Sequence, residues 1–177
     1  MGVLFSSNPF PVQFADVGDL EKWELLETIT PTATGSISTT ALAARDHYKI
    51  VIKNMVSSAA ADSFRVGINT VVTNDYQVLR INNVTVELVT AQANWHISTL
   101  KSTHPTYAIL YIDGKTPNVA NARFMMMAQV TNNTTAGQIK GLAGELFSAA
   151  DTQLTSIEFT TSTGSMTGII EIYGVND

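Results

Sequence analysis

The sequence predicts an all-β domain: an antiparallel β-sandwich of jelly-roll or related Greek-key topology, preceded by an extended N-terminal arm. Three observations predict it. Short runs rich in Val, Ile, Thr, Tyr and Phe recur at roughly the 8–12-residue spacing of sandwiches and barrels. Helical periodicity is scarce and never alternates with strands in a βαβ rhythm. Charged residues make up only 14% of the 177 residues, against roughly 25% in an ordinary globular chain, so Thr, Ser, Asn and Gln must cover the surface.

Residues 1–23 read as the arm. Pro9 and Pro11 interrupt any ladder there, and Phe5, Phe10 and Phe14 are spaced to pack along a neighbouring surface. The sandwich domain then spans 24–177. "ELLETIT" (24–30) is its first strand, followed by a turn over 31–35 and by "SIST". Segments 17–27 and 39–46 each carry enough helical signal for one turn. "HYKIVIKNM" (47–55) alternates, with Tyr48, Ile50 and Ile52 on one side and Lys49, Val51 and Lys53 on the other. "SFRVGINTVV" (63–72) places Phe64, Val66 and Ile68 on one face.

Further along, "YQVLRINNVTVELVTA" (76–91) reads as strand, turn at Asn82-Asn83, strand. "TYAILYIDGK" (106–115) ends in the turn signal Asp113-Gly114, and "RFMMMAQVT" (123–131) is a further strand. Segments around 92–105 and 132–153 read as the long connections of a jelly roll, which brings the total to about eight to ten strands. Within the second, "GQIKGLAGELF" (137–147) reads as a flexible loop or a close approach of backbones. "TSIEFTTSTGSMTGIIEIYGV" (155–175) reads as a closing hairpin, with Ile157, Phe159, Ile170 and Ile172 facing the core.

The chemistry is sparse. A net charge of −5 with ten scattered basic residues argues against nucleic acid as a partner. No run reaches the roughly 20 apolar residues of a membrane span, so no membrane is expected as a partner. Cysteine is absent, which removes disulfides, thiol nucleophiles and thiolate metal sites. His47, His96 and His104 lack the spacing that puts two imidazoles on one metal. Ser165 in "TGSMTG" lies between two strands, whereas a nucleophile elbow needs a strand followed by a helix. Asp75, Asp113, Glu145 and Glu158 are isolated carboxylates. No catalytic residue, metal or cofactor is therefore expected. The candidate functional residues are surfaces: Phe5, Phe10, Phe14, Met125, Met126 and Met127 for a subunit interface, and Trp95 and Tyr107 for a glycan platform.

Several motifs together carry a resemblance. Tyr48, Val51 and Asn54 match an early "Y-x-x-v-x-x-n" strand, and "VGINTVVTNDY" (66–76) matches a strand with a conspicuous Asn followed by an "NxY" step. "LTSIEF" (154–159), "STGSMTG" (162–168) and "IIEIYGV" (169–175) match a closing strand, glycine-bearing turn and final strand. In these features the chain resembles a jelly-roll-like structural domain of tailed-phage virion proteins, of tail, fibre or head-decoration type. The resemblance covers about residues 24–175 and implies a non-enzymatic structural subunit located in the virion. On that reading the chain forms a homo-oligomer, with a trimer favoured. It attaches to capsid or tail subunits through its arm and a sheet edge, as a capsid decoration or cement protein or as a tail or fibre component. The alternative expectation is a receptor-binding carbohydrate module that takes a host surface glycan.

Overall fold

Alternation of apolar with polar side chains sets almost every strand. The computed structural model describes residues 22–69, 76–82, 85–115, 123–132, 138–147 and 153–176. The arm residues Phe5, Phe10 and Phe14 lie outside these. In chain order the strands are β1 (Glu24–Ile29), β2 (Thr32–Thr34), β3 (Ser36–Ser38), β4 (His47–Ser57), β5 (Asp62–Ile68), β6 (Tyr76–Asn82) and β7 (Thr85–Gln92). They continue with β8 (Trp95–Leu100), β9 (Thr106–Asp113), β10 (Arg123–Asn132), β11 (Gln138–Phe147), β12 (Ile157–Thr161) and β13 (Met166–Val175).

These form two antiparallel sheets. The larger has nine strands in the order β1-β13-β4-β9-β10-β11-β6-β7, with β2 paired to one end of β13. The smaller has four, in the order β3-β12-β5-β8. The core lies between them. Tyr48, Ile50 and Ile52 of β4, Leu110 and Ile112 of β9, and Ile170 and Ile172 of β13 point inward from the large sheet and are buried. Phe64, Val66 and Ile68 of β5 and Ile157 and Phe159 of β12 meet them from the small sheet. The Phe64 and Phe159 rings stack at 6.3 Å with 13° between their planes. Each such side chain, fully buried, stabilises the fold by about 1.5–3 kcal/mol.

Four sequence expectations need correction. The fold has more strands than the eight to ten expected, because both long connections hold one and so does the expected 31–35 turn: β8 lies within 92–105, β11 within 132–153, and β2 is Thr32–Thr34. The glycines of β11 disguised it as a loop. Gly144 faces inward beneath Trp95, where an added Cβ would sit 2.7 Å from the indole Nε1, so a larger residue is shut out. No helix occurs among the described residues: the start of 17–27, where a helical turn is expected, lies outside them, 24–29 is strand, and 39–46 is irregular with Leu42 buried and its amide bonded to the Thr155 carbonyl at 2.9 Å. The turn signal Asp113-Gly114 falls where β9 ends, and Gly114 also packs beside β4. Its amide bonds the Asp46 carbonyl at 2.7 Å, and a Cβ there would overlap the Arg45 carbonyl oxygen and the Tyr48 ring.

The fourth correction concerns 155–175. Its two strands do not form a hairpin. β12 pairs with β3 and β5 in the small sheet, whereas β13 pairs with β1, β2 and β4 in the large one. The 162–165 turn is thus an arch from one sheet to the other. The inward alternation read from the sequence is correct for both strands, because core-facing periodicity is the same whichever neighbour a strand has.

Candidate functional site

Polar clusters come first, since chemistry would need them. Asp62, at the start of β5, is 1% exposed. Its Oδ1 accepts from the Ser162 amide at 2.8 Å, the Ser162 hydroxyl at 2.7 Å and the Thr163 amide at 3.0 Å. Its Oδ2 accepts from the Ser57 hydroxyl and the Gly164 amide, both at 2.7 Å. Burial alone raises a carboxyl's pKa, but the bonds from Ser162, Ser57, Gly164 and Thr163 outweigh it and hold Asp62 well below the usual carboxylate range. The carboxylate therefore fixes the arch. Ser165 is part of the same clasp: its amide bonds the Ser58 hydroxyl at 3.0 Å, and the two hydroxyls lie 3.2 Å apart.

Asn69 does the same for 153–156. Its Oδ1 accepts from the Thr155 amide at 2.7 Å and the Ser156 amide at 3.3 Å, and its Nδ2 donates to the Gln153 carbonyl at 2.8 Å. It does so from a left-handed backbone (φ 52°), which Asn tolerates better than most residues. Tyr48 donates its hydroxyl to the Ala43 carbonyl at 2.9 Å and the Leu154 carbonyl at 3.3 Å. The histidines stand apart. His47 Nδ1 is 3.4 Å from Asp113 Oδ1, His96 Nε2 is 2.8 Å from the Ser98 carbonyl, and His104 Nδ1 is 2.7 Å from the Thr103 hydroxyl. These polar groups hold loops in place.

The outer face of the large sheet is different. Among the described residues, all seven exposed large apolar side chains lie on it: Leu25, Tyr107, Ile109, Tyr111, Met125, Met127 and Ile169. Strand register lines them up. Leu25 opposes Tyr173, Tyr173 opposes Lys49, Lys49 opposes Tyr111, and Tyr111 opposes Met127, making one row across β1, β13, β4, β9 and β10. A second row runs Glu171, Val51, Ile109, Gln129 across β13, β4, β9 and β10. Trp23, just before β1, lies over the first row with its ring 6.2 Å from that of Tyr111. The Lys49 ammonium sits 5.0 Å from the Trp23 ring centroid and 4.7 Å from that of Tyr173.

Charge on this face is largely neutralised locally. Lys53 Nζ donates to Glu171 Oε1 at 2.6 Å, and the Tyr173 hydroxyl donates to Glu171 Oε2 at 2.7 Å. Those two bonds lower the Glu171 pKa, while the bond to Glu171 raises that of Lys53. Two hollows mark the face. One of about 260 Å³ lies among Trp23, Tyr111, Met125 and Met127, and another of about 470 Å³ lies among Lys53, Tyr107, Ile109, Gln129 and Thr131.

The candidate residues from the sequence distribute unevenly over this geometry. Met125 and Met127 are 46% and 66% exposed on the outer face, while Met126 points into the core and is fully buried. Tyr107 is exposed on the outer face, its hydroxyl bonded to Asn54 Oδ1. Trp95 is fully buried between the sheets, its Nε1 donating to the Glu145 carbonyl at 3.3 Å, so it offers no ring face to a sugar and does not meet Tyr107. The sequence reading missed Tyr111, Ile109, Leu25 and Ile169. The signal was present in "TYAILYID", where both alternating sets are apolar, a pattern unsuited to a strand with one wet face. Comparison with protein-family models and with curated proteins finds no match for this chain.

Proposed function

We propose that the chain is a non-enzymatic structural subunit of a virion, a capsid decoration or cement protein or a tail or fibre component, that assembles as a trimer through the outer face of its large sheet and its N-terminal arm. One observation carries the reading: every exposed large apolar side chain among the described residues lies on a single face. Contiguous apolar faces of this kind mark interaction sites. The strand order supports the fold that goes with it. Without β2, β6, β7, β10 and β11, the sheets run β1-β13-β4-β9 and β3-β12-β5-β8, the interleaving expected of a jelly roll. Residues that carry the resemblance to phage virion domains also sit at framework nodes: Tyr48 and Asn69 fix loops, and Asn54 takes a left-handed backbone (φ 53°).

The test is a double variant, Tyr111→Glu with Met127→Glu, followed by light scattering. The wild-type chain is expected to be trimeric. The variant should be monomeric with unchanged β-sheet circular dichroism, because both side chains are exposed and surface changes away from packing cost little, about 0.5 kcal/mol. A wild-type chain that stays monomeric at high concentration, or a variant that stays trimeric, refutes the reading.

A second reading, glycan binding, is favoured by one observation: the exposed Tyr107 ring borders the larger hollow, beside the polar ends of Lys53, Gln129 and Thr131. Aromatic rings stack on the apolar faces of sugars. Tyr107→Ala should then lower glycan-array binding at least about tenfold, a loss of about 1.4 kcal/mol; unchanged binding removes the residue from any such site.

A further inference from the structure

We infer that Met125, Met127 and His47 form a binding site for a soft monovalent cation, copper(I) or its redox-stable analogue silver(I), on the outer face of the large sheet. The strand pattern sets the two sulfurs. In "MMM" every second side chain faces out, so Met125 and Met127 share the outer face while Met126 enters the core. Two residues along a strand place them about 7 Å apart. Met55 and Met166 are also fully buried, so these two are the exposed thioethers among the described residues.

His47 comes in from β4, two strands away. It pairs with Asp113 of β9, and one step beyond the Ile112–Met126 pair the register sets Asp113 beside Met125. Neighbouring strands lie about 4.8 Å apart, so the His47 and Met125 backbones are about 10 Å from each other across the sheet. All three side chains line one hollow of about 260 Å³, walled also by Trp23, Tyr111 and Asp113.

The donor chemistry selects the ion. Two thioethers and a neutral imidazole are a soft, uncharged set that suits copper(I), whereas calcium, magnesium and manganese want carboxylate and carbonyl oxygen. Among the described residues no three His, Cys, Asp or Glu side chains come together to hold a harder ion. Histidine spacing alone misses this set because two of its three donors are sulfur. A supporting carboxylate is in place: Asp113 Oδ1 lies 3.4 Å from His47 Nδ1, the arrangement that orients an imidazole to ligate through Nε2. Glu145 opposes Met125 across β10 and β11. Two carboxylates thus flank the sulfurs and offset the Lys49 ammonium, which is held over the Trp23 and Tyr173 rings.

Silver nitrate titrated into the full chain in chloride-free buffer tests the site, by calorimetry and by NMR of isotope-labelled methionine methyls. A single equivalent should bind, with the Met125 and Met127 methyl signals shifting and those of Met55, Met126 and Met166 staying in place. Met125→Leu with Met127→Leu keeps volume and apolar character and should weaken binding at least about a hundredfold, and His47→Gln at least about tenfold. No saturable binding, shifts confined to other methionines, or undiminished affinity in either variant overturns the proposal. So does displacement of silver by equimolar zinc(II), which would assign the site to a borderline divalent ion. The wild-type spectra decide the matter even if a variant fails to fold. Light scattering on the same samples reads the oligomeric state, so a monomer that binds silver refutes the assembly reading alone.

Discussion

Asp62 shows how this chain spends its polar residues. One carboxylate satisfies three backbone amides and two hydroxyls. Replacing it with Ala leaves those donors without an acceptor at a site closed to water, and Asp62→Ala should lose about 2–4 kcal/mol in urea unfolding. The pH dependence follows from the lowered pKa. The unfolded chain takes up a proton near pH 3.9, while the folded carboxylate remains ionised. The stabilisation is thus complete above about pH 4 and falls away below it as the folded value is approached. The stability gap between wild type and Asp62→Asn should be constant from pH 7 to pH 5 and narrow below pH 4. A gap that widens in acid would contradict the clasp. Nothing local in "ADSFRV" announces this role, because all its partners but Ser57 lie about a hundred residues away, in 162–164, and no short-range pattern encodes them.

At the scale of elements, backbone irregularities place the outer face. β4 breaks register between Ile52 and Met55, and β13 breaks register between Thr167 and Ile169. Asn54 adopts φ 53° there, and Gly168 adopts φ 155° with room for a Cβ only 3.0 Å from the Lys53 carbonyl oxygen and the Met55 Cα. The bulge turns Met55 into the core and brings Asn54 up to the Tyr107 hydroxyl. Asn54→Gly should change thermal stability little, whereas Asn54→Val should lower it by about 1–2 kcal/mol because a branched Cβ resists the left-handed backbone. Equal stability of the two variants would show that the bulge relaxes. The strands themselves were legible, since β4, β5, β9, β10, β12 and β13 all follow their apolar alternation. Their partners were not. A strand's inward face is written in its own residues, but its neighbour is chosen by turns and clasps elsewhere, which is why an arch between sheets read as a hairpin.

For the whole molecule, the low charge noted in the sequence turns out to be unevenly spread: one face of the large sheet is apolar and its ionic groups are engaged with one another or with rings. An assembly built on such a face should be insensitive to screening. Raising salt from about 0.1 M to about 1 M shortens the Debye length from roughly 10 Å to 3 Å, yet the sedimentation coefficient of the proposed trimer should hold. Dissociation in high salt would point to an ionic interface. Of the candidate surface residues, Met125, Met127 and Tyr107 were legible because alternation forces part of any apolar strand outward. Tyr111 and Ile109 share the outward set of Tyr107 in "TYAILYID", so their signal was present too, but a second apolar set does not by itself say what covers the outer face.

The arch between β12 and β13 has a temporal side. Among the described residues β3 pairs only with β12, and β1 and β2 only with β13, so these early strands cannot pair until β12 and β13 have been synthesised more than a hundred residues later. Such long-range closure slows folding. A chain interrupted during synthesis before residue 155 leaves β1, β2 and β3 without these neighbours. Synthesis of β12 and β13 is thus the step that lets both sheets close.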